Sequence, residues 1–342
     1  MTHTPYDLSA QGWRESTPGE QGVDAARLAE GYDQLTAEYP HFDSLIIVRR
    51  GCIVFERYRG DSGPEVLHNL KSVTKSVLSM LIGIAIQTGD LEGLDGKLGY
   101  YFPDYFTSTR DSNKRDIRVR DLLTMRSGLE WSEWGSCAVE MTASPHWIDF
   151  VLEQPLIHRP GEHFSYSTGD TQLLSGILQR ATAMSALDFA DLYLFGPLGI
   201  TQRSWPSDPQ GYTIGGAELS LTPRDMAKLG ALYLNQGIWA GDSVIPTAWV
   251  KMSTAPHVEG VAADPGVRYG YLWWLYPQAS HECFIAAGYG GQLIYGIPDL
   301  DLVVVLAGDS RAAPKLFSDN RMVYEFSWLR DWVIPAVSDI PG

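Results

Sequence analysis

Apolar and polar positions along the chain alternate with different periods in different stretches, and these predict an outline of the fold. Near the N-terminus two runs of strand character, 44–48 and 52–58, flank a turn containing Gly51 and predict a β-hairpin over 43–59. Toward the other end three more runs follow closely, at 283–286, 292–297 and 302–307. Their short connections, one holding Pro298-Asp299, fit an antiparallel meander. The chain between these ends is mostly helical and rich in loops. The apolar run Val77 to Ile86 predicts a helix that desolvates what lies at its start. Thr222-Pro223-Arg224-Asp225 opens a further helix through Leu234, with proline in the first position and Gly237 as a stop. A last amphipathic helix is expected from about Arg321 to Trp332. The simplest assembly is an α/β (α+β) fold, with an antiparallel sheet flanked by terminal helices. One lobe comes from both chain ends (1–88 and 208–342), a mostly helical lobe (89–207) is inserted, and a site lies between them.

Composition narrows the functional classes. With 342 residues, 44% of them hydrophobic, 11 Trp and 17 Tyr, the chain can bury a large core. A formal net charge of −15 argues against nucleic-acid or anionic-membrane partners, since both need a basic footprint. No apolar stretch is long enough to span a bilayer. The start of the chain lacks a basic segment followed by an apolar one, so a cytoplasmic protein is expected. Cys52, Cys137 and Cys283 are odd in number and widely spaced, which suggests buried hydrophobes rather than disulfides or a zinc knuckle. The eight histidines show no metal-ligand spacing, and neither metal nor organic cofactor is expected. The sequence does not specify an oligomeric state.

The candidate chemistry begins at Ser72-Val73-Thr74-Lys75, at the mouth of the first apolar helix. In a helix the two side chains lie one turn apart on one face. A serine hydroxyl is a poor nucleophile unless a neighbouring base takes its proton, and a desolvated lysine is a candidate for that base. At a helix start the serine's own N–H is one of the unpaired donors, free to stabilise an oxyanion. Serine is also an ordinary helix cap, and a capping role is the competing reading. Tyr166, in the turn-rich segment before the apolar helix that starts near Leu173, is a candidate proton relay. The glycine-rich junction 286–292 predicts a strand edge open to close approach, from which the N–H of about Tyr289 can serve as a second oxyanion donor. Thr168, Asp170, Gly288 and Gly290 are candidate substrate contacts.

Two other phrases compete and fail. Gly60-Asp61-Ser62-Gly63 mimics a trypsin-type motif without the long preceding region that chemistry requires. Gly308-Asp309-Ser310 mimics a nucleophile elbow, but no histidine follows it.

The ordered set of Ser72-x-x-Lys75, Tyr166-x-Thr168 and a small-small-Gly288 strand resembles the motifs of the serine β-lactamase and penicillin-binding-protein superfamily. The likeness is closest to its class C and esterase-like branch, which includes the 6-aminohexanoate-dimer (nylon-oligomer) hydrolases. Phrases at 44–51, 119–129 and 288–292 extend it over most of the chain. The resemblance implies a β-lactamase/transpeptidase-like fold and a serine hydrolase acting on a small amide or ester through an acyl-enzyme. In it Ser72 attacks, Lys75 and Tyr166 move protons, and the N–H groups of Ser72 and Tyr289 hold the oxyanion. Two departures stand out: Thr168 replaces the usual asparagine, and Ala286 replaces the usual lysine or histidine. Without that cation a substrate carboxylate loses an anchor. An amidase or esterase is therefore favoured over a β-lactamase or D-Ala-D-Ala peptidase, with a non-catalytic penicillin-recognition protein as the alternative of another class.

Overall fold

A computed structural model of the chain describes residues 8, 13–107, 112–261, 264–314 and 326–338. Its centre is an eight-stranded sheet. The first three strands are β1 (Arg14–Glu15), β2 (Phe42–Arg49) and β3 (Cys52–Tyr58). Three short strands follow, β4 (His68–Asn69), β5 (Arg203–Ser204) and β6 (Ser220–Leu221), which form a small separate sheet. Next comes the hairpin of β7 (Ile238–Trp239) and β8 (Asp242–Ser243). The chain returns to the main sheet with β9 (Arg268–Tyr269), β10 (Trp274–Leu275), β11 (Phe284–Gly288), β12 (Gln292–Ile297) and β13 (Leu302–Gly308). The order across the main sheet is β1-β3-β2-β13-β12-β11-β10-β9, antiparallel throughout except for β1 beside β3. Strands from both chain ends therefore meet in the middle, at β2 and β13.

The reasons are local. β2 and β3 join through Arg50 and Gly51, both at positive φ (49° and 75°), as a two-residue turn matching the sheet twist requires. β2, β12 and β13 are buried almost throughout, so they read as continuous apolar runs rather than alternating ones. β9 and β10 extend the sheet beyond the expected meander. Two-residue strands carry no period, and the sequence pattern did not single them out.

The helices are α1 (Ala25–Glu38), α2 (Val73–Thr88), α3 (Leu98–Tyr101), α4 (Val119–Leu123), α5 (Ser136–Ala143), α6 (Trp147–Glu153), α7 (Thr168–Thr182), α8 (Ala186–Ala190), α9 (Pro223–Leu234) and α10 (Thr247–Ser253). α9 starts as expected, with the Thr222 hydroxyl accepting from the Asp225 N–H and Pro223 in the first turn. It packs on β2, β12 and β13. α2 contacts β11 and β12 on one side and α7 on another, and thirteen of its sixteen residues are buried. It ends at Gly89, in the left-handed region at φ 82°. Of the expected C-terminal helix, 321–325 lie outside the described residues. From Leu329 the chain makes a wide helical turn to Val333 and a tighter one through Ala336, with Trp328 and Trp332 packed against Gly31 of α1. Among the described residues no helix is long and apolar enough to cross a membrane.

Candidate active site

β4 carries the chain to the start of α2 and pairs with β6, which brings residues 216–219 alongside Ser72. The Leu70 N–H donates to the Leu219 carbonyl (2.8 Å), and the Thr74 hydroxyl accepts from the Leu219 N–H (3.3 Å). Lys71 sits at φ 50°, a left-handed conformation that costs a residue with a side chain about 1–3 kcal/mol. It is held there by the Asn69 side chain, which accepts from the Lys71 N–H (3.0 Å), and by an ion pair between Lys71 and Glu218 (3.4 Å). That turn presents Ser72.

Ser72 occupies the N-cap position of α2 without acting as a cap. Its backbone is already helical (φ −71°, ψ −5°), and its hydroxyl accepts no bond from the first turn. The hydroxyl lies instead 3.1 Å from Lys75 Nζ. The Ser72 N–H and the Tyr289 N–H have no acceptor among the described residues.

Lys75 is 1% exposed. Its Nζ reaches Ser72 Oγ (3.1 Å), Thr168 Oγ1 (3.0 Å) and the Gly216 carbonyl (2.8 Å). Burial pushes its pKa down to about 8, against the upward pull of the Glu133 carboxylate. A lysine near 8 is a workable base at neutral pH, whereas one in its ordinary range is almost wholly protonated.

α7 supplies the opposite wall. Ser167 caps it, accepting from the Asp170 N–H (3.0 Å), and this fixes Tyr166 and Thr168 on either side of the cap. The Tyr166 ring centroid is 5.1 Å from Lys75 Nζ, and the ring packs against Trp274 (5.4 Å) and the edge of Tyr269 (6.4 Å). Thr168 faces Lys75 and Glu133 together. Asp170 is 1% exposed in the first turn of α7, and burial pushes its carboxyl up to about 7 despite the nearby Ser127 and Ser167 hydroxyls.

β11 closes the third side. β10 pairs only with Phe284 and Ile285, so 286–288 are left without a strand partner on that edge. Gly288 lies against the segment before Ser72: a Cβ there would stand 2.2 Å from the Leu70 carbonyl oxygen and 3.2 Å from Lys71 Cβ. Gly290, at φ 80°, packs against Ser310 instead. Tyr289 is partly exposed, its ring 6.3 Å from that of the exposed Trp134. Trp273 is core, and Trp131 lines the first turn of α7 at Gly169.

Two site residues escaped the sequence pattern. Glu133, in the loop between α4 and α5, accepts from the Thr168 N–H (2.8 Å), the Thr168 hydroxyl (2.5 Å) and Trp131 Nε1 (2.7 Å). Its only sequence signal is an acid between two tryptophans. Gly216 contributes a carbonyl, which no side-chain pattern discloses. Among the described residues no cluster of three or more potential metal ligands occurs. A separate open groove of about 700 Å³, lined by Lys97, Arg118, His158 and Arg159 among others, contains none of these site residues.

Residues 42–323 match the Beta-lactamase family model. A curated relative, the 6-aminohexanoate-dimer hydrolase of Paenarthrobacter ureafaciens, is 24% identical over 317 residues, covering 85% of this chain and 79% of that protein. Among solved structures, a presumed 6-aminohexanoate-dimer hydrolase from Bacillus anthracis superposes with a TM-score of 0.78 at 20% identity, covering 98% of this chain and 89% of that one. EstCE1, a hydrolase with promiscuous acyltransferase activity, gives 0.75 at 17% identity, covering 92% and 99%. The chain belongs to the beta-lactamase family and is a serine hydrolase of that fold.

Proposed function

We propose that the protein hydrolyses a small ester or amide through an acyl-enzyme on Ser72, in the manner of 6-aminohexanoate-oligomer hydrolases or carboxylesterases. The observation that carries this reading is the buried Lys75 amine 3.1 Å from a serine hydroxyl that does no capping. Neutral Lys75 takes the Ser72 proton as Oγ bonds to the substrate carbonyl carbon. The N–H groups of Ser72 and Tyr289 hold the resulting oxyanion. Collapse expels the alcohol or amine, with Tyr166 beside Lys75 returning the proton. Water then attacks the ester on Ser72, and the same groups act in reverse.

The surroundings favour an acyl group without a carboxylate. Ala286 leaves β11 without a cation, Lys71 is already paired with Glu218, and Glu133 puts a negative charge beside Lys75. Trp134 and Tyr289 offer apolar faces at the mouth, suited to an alkyl or aryl chain.

The test is intact mass and turnover with a short-chain nitrophenyl ester, a 6-aminohexanoate oligomer and a penicillin in parallel. Ester or amide turnover, with an adduct absent from Ser72→Ala, is the expected result. Activity retained in Ser72→Ala removes the serine from the mechanism, and a stable adduct with penicillin alone favours a penicillin-recognition role. Lys75→Ala and Tyr166→Phe should each lose about 10²-fold or more in kcat/KM with unchanged thermal melting. A mild loss for Tyr166→Phe would assign protonation of the leaving group elsewhere.

A further inference from the structure

As a base, the Lys75 amine carries two N–H groups and one lone pair, to be shared among three oxygens. The Gly216 carbonyl only accepts, so one N–H goes there. Ser72 and Thr168 are hydroxyls, and each can donate or accept. If Thr168 donated to Lys75, the lone pair would be spent on a hydroxyl that does no chemistry and an N–H would face Ser72. Glu133 removes that alternative. Its ionised carboxylate only accepts, and it lies 2.5 Å from Thr168 Oγ1, so it takes the threonine proton. It is itself fixed by the Thr168 N–H and by Trp131 Nε1. Thr168 Oγ1 is then left only as an acceptor from Lys75.

We propose that Glu133 is a positioning residue for the reaction: acting through Thr168, it aims the Lys75 lone pair at Ser72. This rests on the acyl-enzyme reading above. The usual asparagine would present an amide at the Thr168 position, and the Thr168–Glu133 pair supplies an oriented acceptor by other means.

Glu133 also acts through its charge, which favours the ammonium form of Lys75. The other groups around the amine are accounted for. The Tyr166 ring stands 5.1 Å away, Lys71 is tied to Glu218, and the buried Asp170 and Tyr269 lie beside Glu133 and Tyr166. Removing the Glu133 charge makes the ammonium less favourable, so Lys75 becomes neutral at lower pH.

The experiment is the pH profile of kcat/KM for Glu133→Gln on a nitrophenyl ester, with thermal melting to verify the fold. The rate should fall about ten- to a hundredfold, and the acid limb should move to lower pH, since that limb reports formation of the neutral base. A residue that merely braced the loop would lower the rate without moving the limb, and either that result or an unchanged rate overturns the proposal. In a Thr168→Val background, Glu133→Gln should add little further loss in rate, because the hydrogen-bonded route to Lys75 is already cut and only the charge of Glu133 still acts there; full additivity of the rate losses also overturns it. If Glu133→Gln does not fold, Thr168→Val and Thr168→Ser carry the test. Only the valine, which takes away an oxygen that accepts from the Lys75 amine and so disfavours its ammonium form, should move the limb to lower pH, and identical profiles overturn the proposal. Ser72→Ala measured alongside keeps the two readings apart, because turnover surviving there defeats the acyl-enzyme whatever Glu133 does.

Discussion

Gly288 matters for the side chain it lacks. The edge of β11 reaches the turn before Ser72 because nothing projects between them, and a methyl there would stand 2.2 Å from the Leu70 carbonyl oxygen, a backbone atom with little freedom to move. Gly288→Ala should therefore push the strand edge away from Ser72. We expect about 10²-fold or greater loss of ester turnover, the scale of losing one oxyanion donor, with the protein still folded by circular dichroism. Wild-type activity would place the oxyanion donors elsewhere. The same contrast between presence and absence governs which residues were legible. Ser72 and Lys75 stood out because a serine and a lysine one helical turn apart form a local pattern. Glu133 lies 35 residues from the threonine it bonds and is indistinguishable by type from Glu130 or Glu140. Tyr166, Thr168 and Gly288 were legible only as an ordered set, because each alone has an ordinary explanation as a turn, a cap or a hairpin glycine.

α2 illustrates how an element can be built for a single task. Its burial on nearly all sides deprives Lys75 of water, and its close fit depends on Gly83, where an added Cβ would meet the indole of Trp249 in α10 at 2.4 Å. On an exposed helix, glycine to alanine would gain about 1 kcal/mol from propensity. Here overpacking against a buried ring should outweigh it, and Gly83→Ala is expected to destabilise by about 1–3 kcal/mol in urea unfolding. A stabilised variant would mean the α2–α10 contact has slack. The longer strands were readable because runs such as 292–297 are apolar, bounded by turn residues and of strand length. The two-residue β9 and β10 owe their existence to tertiary contacts, Trp274 to Tyr269 and Ile285 on either side, and no local periodicity encodes them.

At the scale of the whole molecule, a formal charge of −15 surrounds a candidate site whose strand β11 carries no cation. Its field should speed the approach of a cationic ester and slow that of an anionic one, with a neutral ester indifferent. Raising ionic strength should accordingly lower kcat/KM for the cationic ester and raise it for the anionic one, since salt screens exposed charge over about 10 Å at 0.1 M. Equal salt dependence for all three would show that the global charge does not reach the site. The architecture has a consequence of a different kind. β2 is synthesised long before its central neighbour β13. Until β13 emerges the apolar edge at Leu45–Val48 therefore waits without its partner, exposed to other nascent chains. A product that stops short of β13 would inherit that open edge, so premature termination yields an aggregation seed rather than half an enzyme.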